Sequence, residues 1–188
     1  MRNRLLSETI EKYDPGPCNR EIERFRKMLS LKEAVRSAAE SIQENGRYYP
    51  HQRRNLGWHR AIPSAVRILV NNCEHFRTCS DFDEVYELLK ELLSRVKGLG
   101  PLYYYDVSVR IGAFLAQKYG LEEFLPDKVY LHAGPLAAAK WLEYQNLLKG
   151  KPKNGVLKMA ALPDELQEFE PYHAETILCH LAGNCRNA

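Results

Sequence analysis

The stretch that decides the fold is Leu92-Leu-Ser-Arg-Val-Lys97-Gly98-Leu99-Gly100-Pro101. Before it, apolar residues recur at helical spacing from residue 82 to residue 96, which predicts an amphipathic helix. Proline is favoured in the first turn of a helix, so Pro101 predicts a second helix over 102–118, ended by Gly120. The glycines between the two helices permit a tight turn. This segment therefore predicts two helices joined by a Gly-x-Gly turn.

Signals on either side of this stretch also predict helices. Ser30-Leu-Lys-Glu33 has the form of a capping box, and the helix that it opens is expected to continue to Asn45-Gly46. Pro63 suits the first turn of another helix. Three more elements are predicted: helices over 135–148 and 171–182, and a short strand-like piece over 128–132. The fold class is therefore all-α.

Length, composition and charge indicate one ordinary globular domain. The chain has 188 residues, and nothing in it repeats at a fixed period, so we predict a single domain over 1–188 in which residues 1–18 could form a loose arm. The net charge is only +3, so any surface that binds a polyanion must be local. The apolar stretches are too short for a membrane span, and the N-terminus lacks the apolar run of a signal peptide. The sequence thus predicts a cytoplasmic protein without a membrane partner.

The residues that commonly bind metals or cofactors form no motif. The five cysteines are an odd number without a C-x-x-C pair, which favours reduced thiols over disulfides or a zinc site. His51 and His59 are eight residues apart in a loop, which is not the spacing of a helical metal pair. We therefore predict no metal site and no cofactor.

The segment around Gly98 and Gly100 resembles a helix-hairpin-helix motif, over residues 82–118. Glycines let the backbone approach a phosphate closely, and the first N–H groups of the second helix can bind the anion with the help of the helix dipole. The expected phosphate contacts are Lys97, Gly98, Leu99, Gly100 and Pro101, with Leu99 also filling the inside of the turn. Such contacts read the backbone of a nucleic acid, and DNA is the expected partner rather than RNA. The alternative is a structural corner between two helices.

A second contact is predicted in the irregular segment from Arg47 to Arg60, where four arginines lie among three aromatic residues without periodicity. This mixture of charge and stacking surfaces binds nucleic acids well, and Arg53 and Arg54 are its central cations. The alternatives are the wall of a nucleotide pocket or a solvated loop anchored by its aromatics.

Residues 82–142 are similar to the helix-hairpin-helix superfamily of base-excision DNA glycosylases. The resemblance implies an all-α, glycosylase-like fold, DNA binding and, for an enzyme, a hydrolase of DNA repair. The family's catalytic aspartate aligns with His132, or with Tyr130 in a shifted register, and Asp127 is the nearby acid. The family's catalytic lysine aligns with Leu102, so the implied activity is that of a monofunctional N-glycosidase.

Three interpretations of His132 stay open. It could be a general acid or base oriented by Asp127 or Asp106, since an imidazole titrates near neutral pH. The chain could also be a non-enzymatic module that binds nucleic acid or protein, or His132 could simply be hydrogen-bonded at a helix start. A further possibility is that the hairpin is structural and the aromatic-rich helix 102–118 is an oligomer interface.

Overall fold

The computed structural model describes residues 4–43, 46–49 and 58–185, apart from the side chains of 58–60. These residues form nine α-helices, three short 3-10 helices and two strands, which confirms the all-α fold class. The α-helices are α1 (Arg4–Glu11), α2 (Gly16–Arg26), α3 (Leu31–Glu40), α4 (Trp58–Asn71), α5 (Phe82–Leu93), α6 (Pro101–Tyr119), α7 (Ala133–Tyr144), α8 (Asp164–Gln167) and α9 (Pro171–Cys185). The strands are β1 (Lys128–Tyr130) and β2 (Val156–Lys158), and the 3-10 helices are Cys73–Thr78, Glu122–Phe124 and Met159–Ala161.

The chain divides into two compact units, which we call the central unit (residues 19–125) and the terminal unit (residues 1–18 and 126–188). Each unit has its own packed helices. That the whole chain is a single domain stays a prediction.

Helix α6 is the core of the central unit. From Tyr103 to Ala116 every residue is buried except Tyr104 and Asp106, which are half-buried. The helix packs against α3 and α5 of the same chain, and the Tyr103 hydroxyl donates a hydrogen bond of 2.8 Å to the Ala39 carbonyl. The interpretation of the 102–118 helix as an oligomer interface is therefore wrong, because the chain itself buries this helix.

The terminal unit is built on α9, which packs against α1, α7 and β1. The strands β1 and β2 pair antiparallel, with Val129 opposite Leu157. Leu6 of α1 is completely buried, so α1 contributes to the core of this unit. The segment expected to form a loose arm is thus partly a packed helix, held by apolar contact that its short helical pattern did not reveal.

Helix α3 begins as predicted but ends earlier. Ser30 is its N-cap, and its hydroxyl accepts a hydrogen bond of 3.2 Å from the backbone N–H of Glu33. The helix ends at Glu40 because Ser41 is left-handed, with φ of 55°, and its hydroxyl donates to the Ala38 carbonyl. Gly46, with φ of +74°, belongs instead to the turn that leads back to Tyr48. The predicted end at Asn45-Gly46 is therefore wrong.

Helix α4 begins earlier than predicted, at Trp58, so Pro63 lies inside it. Proline lacks an N–H, and it is tolerated because only one turn precedes it and its ring is exposed. In the described part of the chain, no helix combines the length and apolar composition that a bilayer crossing requires.

Candidate functional sites

The predicted hairpin is present in the central unit, between α5 and α6. Helix α5 ends at Leu93. Gly98 has a φ of +93°, a backbone angle that residues with a side chain rarely adopt. Helix α6 then begins at Pro101, its first residue, with Gly100 as the extended N-cap. The helices pack against each other. The chain thus turns between two packed helices as the sequence predicts, but the first helix ends at Leu93 and not at residue 96.

The N-terminus of α6 differs from those of α3 and α5. The caps Ser30 and Asp81 each accept a backbone N–H of their own helix. Gly100 has no side chain to do this, and the first turn of α6 contains no acidic residue. A Cβ added at Gly100 would meet no atom within 4 Å, so the space beside the cap is open. The first N–H groups of an α-helix lack intrahelical acceptors, so those of α6 can serve an external one.

The side chains of the turn are arranged partly as expected. Lys97 and Gly98 are exposed, as a phosphate contact requires. Leu99 is half-buried rather than enclosed, so it fills the inside of the turn incompletely. The Tyr104 hydroxyl donates a long hydrogen bond of 3.4 Å to the Leu99 carbonyl and braces the turn. This hydrogen bond links the first turn of α6 to the hairpin turn before it.

The second predicted contact lies outside the described residues, because it centres on Arg53 and Arg54. From Trp58 to Arg60 the backbone is already helical, so the irregular segment is shorter than predicted.

A second cluster of functional side chains lies in the terminal unit, around His132. This residue follows β1 and is the N-cap of α7, and its carbonyl accepts the N–H of Leu136 at 2.9 Å. The Leu131 N–H is bonded to the Gly155 carbonyl at 2.7 Å, which holds the preceding backbone. His132 is only 8% exposed. The fold therefore holds the imidazole inside the unit.

Two residues of α9 face His132. Its Nε2 atom lies 2.5 Å from Oε1 of Glu175, which is itself 6% exposed. The two atoms lie within ion-pair distance. The Cys179 thiol donates to the same Glu175 oxygen, over 3.3 Å. The imidazole, carboxylate and thiol atoms all lie within 4.8 Å of one another.

Gly134 makes this convergence possible. A Cβ at this position would lie 2.7 Å from Sγ of Cys179, closer than real Cβ contacts allow. The absence of a side chain lets the first turn of α7 approach α9, and His132 lies directly before that turn. The sequence His132-Ala-Gly134 thus places an imidazole against the middle of α9.

The other catalytic candidate, Asp127, has a different environment. Its side chain is 85% exposed, and its carboxylate lies 3.6 Å from Nζ of Lys128. The carboxylate that contacts His132 is that of Glu175. The His132–Asp127 pairing stays a prediction, and the geometry offers Glu175 as the partner.

The Cys179 thiol donates to the Glu175 carboxylate, and the imidazole of His132 lies within 4.8 Å of both. A cation between the three groups would stabilise the thiolate and the carboxylate together. The cluster is therefore suited to binding a cation or to linking α7 and α9 structurally.

Sequence reasoning singled out His132 but missed Glu175 and Cys179. The one local signal was their spacing of four residues, which places them on one face of the predicted 171–182 helix. His132 is 43 residues before Glu175, so no short motif joins them.

A histidine elsewhere in the terminal unit carries a pH prediction. The Tyr13 hydroxyl is hydrogen-bonded to Nδ1 of His173 at 2.6 Å, and burial lowers the pKa of His173 despite the opposing charge of Glu170. Below about pH 6.5 the unfolded chain takes up this proton first, so His173 makes stability fall as the pH falls. We expect His173→Gln to reduce the loss of stability between about pH 7 and pH 5, measured by thermal unfolding. The exposed His180→Gln is the control; an equal change in both variants would contradict the prediction.

Comparison with family models, curated proteins and solved structures gives no match for this chain. The hairpin and the His132 cluster are the two candidate sites of the described residues.

Proposed function

We propose that this protein binds nucleic acid, and DNA in particular, through the phosphate contacts of the α5–α6 hairpin. The observation that carries the proposal is the N-terminus of α6. A glycine cap with open space beside it begins a helix of 19 residues, without an acidic residue in the first turn. The exposed Lys97 supplies a positive charge three residues before the cap.

The physical basis is the binding of an anion at a helix N-terminus. A phosphate oxygen beside Gly100 can accept the N–H groups of Leu102 and Tyr103, and the helix dipole favours the negative charge. Because these donors belong to the backbone and Lys97 acts as a point charge, they do not distinguish bases. Binding should therefore be sensitive to salt and largely independent of sequence.

The proposal concerns a binding module and does not extend to base excision. Where the resemblance to the glycosylases expects an aspartate and a lysine, the chain has His132 and Leu102. Leu102 removes only the covalent mechanism, and base excision is left out because His132 occupies the position of the family's catalytic carboxylate.

The first test replaces Gly100 by aspartate. The backbone at Gly100 is extended and the space is open, so the new side chain fits and should cap α6 itself. Its carboxylate would occupy the donors that the phosphate needs. We expect Gly100→Asp to weaken binding to a labelled DNA duplex about tenfold or more, since charged hydrogen bonds contribute about 1.5–3 kcal/mol. Fluorescence anisotropy measures this affinity, and the melting temperature should not fall.

A matched pair of charge reversals separates a local contact from general electrostatics. Lys97→Glu and Lys118→Glu change the net charge equally, but Lys118 is exposed in the last turn of α6, at the far end from the hairpin. In a titration with salt, Lys97→Glu should reduce the slope of log affinity against log salt by about one, the contribution of one phosphate contact. Lys118→Glu should leave the slope unchanged.

The proposal fails if the wild type binds neither duplex nor single-stranded DNA at low salt. It also fails if Gly100→Asp binds as tightly as the wild type, or if the two lysine variants lose the same affinity. Failure would identify the hairpin as a structural corner and favour a protein-interaction module. Parallel titrations with duplex RNA test the preference for DNA.

A further inference from the structure

The His132–Glu175–Cys179 cluster contains three different metal-binding groups in the terminal unit. They come from two helices that Gly134 allows to approach closely, and their donor atoms lie within 4.8 Å of one another. His132 and Glu175 are both buried, and Cys179 is half-buried. A surface cluster of acidic residues has neither this variety of donors nor this degree of burial.

We propose that these three side chains bind a zinc ion. Zinc bonds of about 2.0–2.3 Å in a tetrahedron separate the donor atoms by about 3.3–3.6 Å. Sγ of Cys179 is already 3.3 Å from the Glu175 oxygen, and the His132 nitrogen is 2.5 Å from it. The imidazole and the carboxylate must move apart by about 1 Å, and the imidazole nitrogen and Sγ, which lie within 4.8 Å of each other, must come to about 3.6 Å.

The charges also favour a divalent cation. A carboxylate and a thiolate together carry two negative charges, which zinc neutralises, and a neutral imidazole completes the set. A buried carboxylate needs hydrogen bonds or an opposite charge, and a bound cation would supply that charge for Glu175. The donor types select zinc over magnesium or calcium, because thiolate and imidazole are ligands of softer metals.

Three protein ligands leave one position of a tetrahedral zinc ion for another ligand. Among the described residues, no other histidine, cysteine or carboxylate is close enough to be a fourth ligand. A water molecule or a ligand group would therefore complete the coordination, as it does in zinc sites with three protein ligands. This inference is independent of DNA binding, because it concerns residues of the terminal unit only.

The first experiment uses the unaltered protein. After treatment with a chelator, it is titrated with Co²⁺, which reports coordination through its absorption spectrum. One equivalent should produce visible bands of tetrahedral cobalt and a thiolate-to-cobalt charge-transfer band, and zinc should remove both. Zinc should also slow alkylation of Cys179, located by mass spectrometry, without changing that of Cys185.

Variants then assign the ligands. Cys179→Ser should remove the charge-transfer band and weaken zinc binding at least about a hundredfold, as the loss of a direct ligand should exceed the tenfold to hundredfold effect of an outer-shell partner. Cys185→Ser is the matched control, because Cys185 is also half-buried on α9. His132→Gln is compared with His180→Gln, whose side chain is exposed. Circular dichroism verifies that each variant is folded.

The cobalt titration and the alkylation experiment use the wild-type protein, so they test the proposal even if a variant fails to fold. The proposal is overturned if stoichiometric cobalt gives no thiolate band, or if zinc leaves the alkylation of Cys179 unchanged. It is also overturned if folded Cys179→Ser binds zinc as the wild type does. The cluster would then be a hydrogen-bonded link between α7 and α9.

Discussion

Replacement of Arg110 by methionine is expected to lower the free energy of unfolding of the central unit by about 3–5 kcal/mol. Arg110 is in the middle of α6 and is 3% exposed. Its guanidinium donates to the Glu21 carboxylate, to the Ser41 hydroxyl at 3.3 Å and to the Ala38 carbonyl at 3.5 Å, and it lies 4.2 Å from the ring centre of Tyr49. Removal of the guanidinium takes away these hydrogen bonds and the positive charge beside Glu21.

Arg110→Met is expected to destabilise the central unit because of the charges around the guanidinium. Burial alone lowers the pKa of Arg110, but the nearby Glu21 and Asp106 carboxylates raise it above its usual value. The folded unit therefore holds this group charged and depends on its acidic partners. Methionine would fill much of the same space but leave the largely buried Glu21 carboxylate without the charge of Arg110.

A double-variant cycle tests this account. Arg110→Met/Glu21→Leu should recover much of the loss, because replacing both members of a buried pair is often neutral or stabilising. Hydrogen exchange of the α3 and α6 amides measures the stability of this unit directly. A loss below about 1 kcal/mol for Arg110→Met, or a double variant that is no better, would contradict the account.

The elements that the sequence predicted well are those with local signals. Helix α6 could be placed between Gly100-Pro101 and Gly120 because proline at a first turn and glycine after a last turn act through their own backbone. The end of α3 could not be placed, because Ser41 is left-handed without being glycine. Ser41 is buried, and its hydrogen bond to the Ala38 carbonyl stabilises this conformation. Residue propensities do not include such contacts.

The candidate sites also divide into those with a local sequence signal and those that depend on tertiary contacts. The hairpin was predictable because its glycines, lysine and proline are consecutive. The interactions of Arg110 were not, since Asp106 is the local acid at helical spacing, whereas the hydrogen-bonded carboxylate belongs to Glu21, 89 residues away. His132, Glu175 and Cys179 likewise meet only through the packing of α7 on α9. Tertiary contacts decide these partners, and one sequence contains no local pattern for them.

Replacement of Gly112 by alanine is expected to destabilise the central unit by about 3 kcal/mol or more, at the upper end of the usual range for overpacking. Gly112 is buried in α6 beside the 3-10 helix Glu122–Phe124. A Cβ at this position would lie 2.1 Å from the carbonyl oxygen of Phe124 and 3.2 Å from its carbon. These are backbone atoms, so no side-chain rotation can relieve the clash. The segment that contains Phe124, itself a core residue, would have to move away from α6.

The control is a glycine-to-alanine substitution that should stabilise the protein. Gly183 is exposed in α9, and a Cβ there would meet no atom within 4 Å. Gly183→Ala should therefore stabilise the protein by up to about 1 kcal/mol, the difference between alanine and glycine in a helix. An equal stabilisation by Gly112→Ala would contradict this close contact between α6 and the Phe124 backbone. A glycine in the interior of a helix is unfavourable by itself, so its presence at 112 is explained by this close contact and not by the helix.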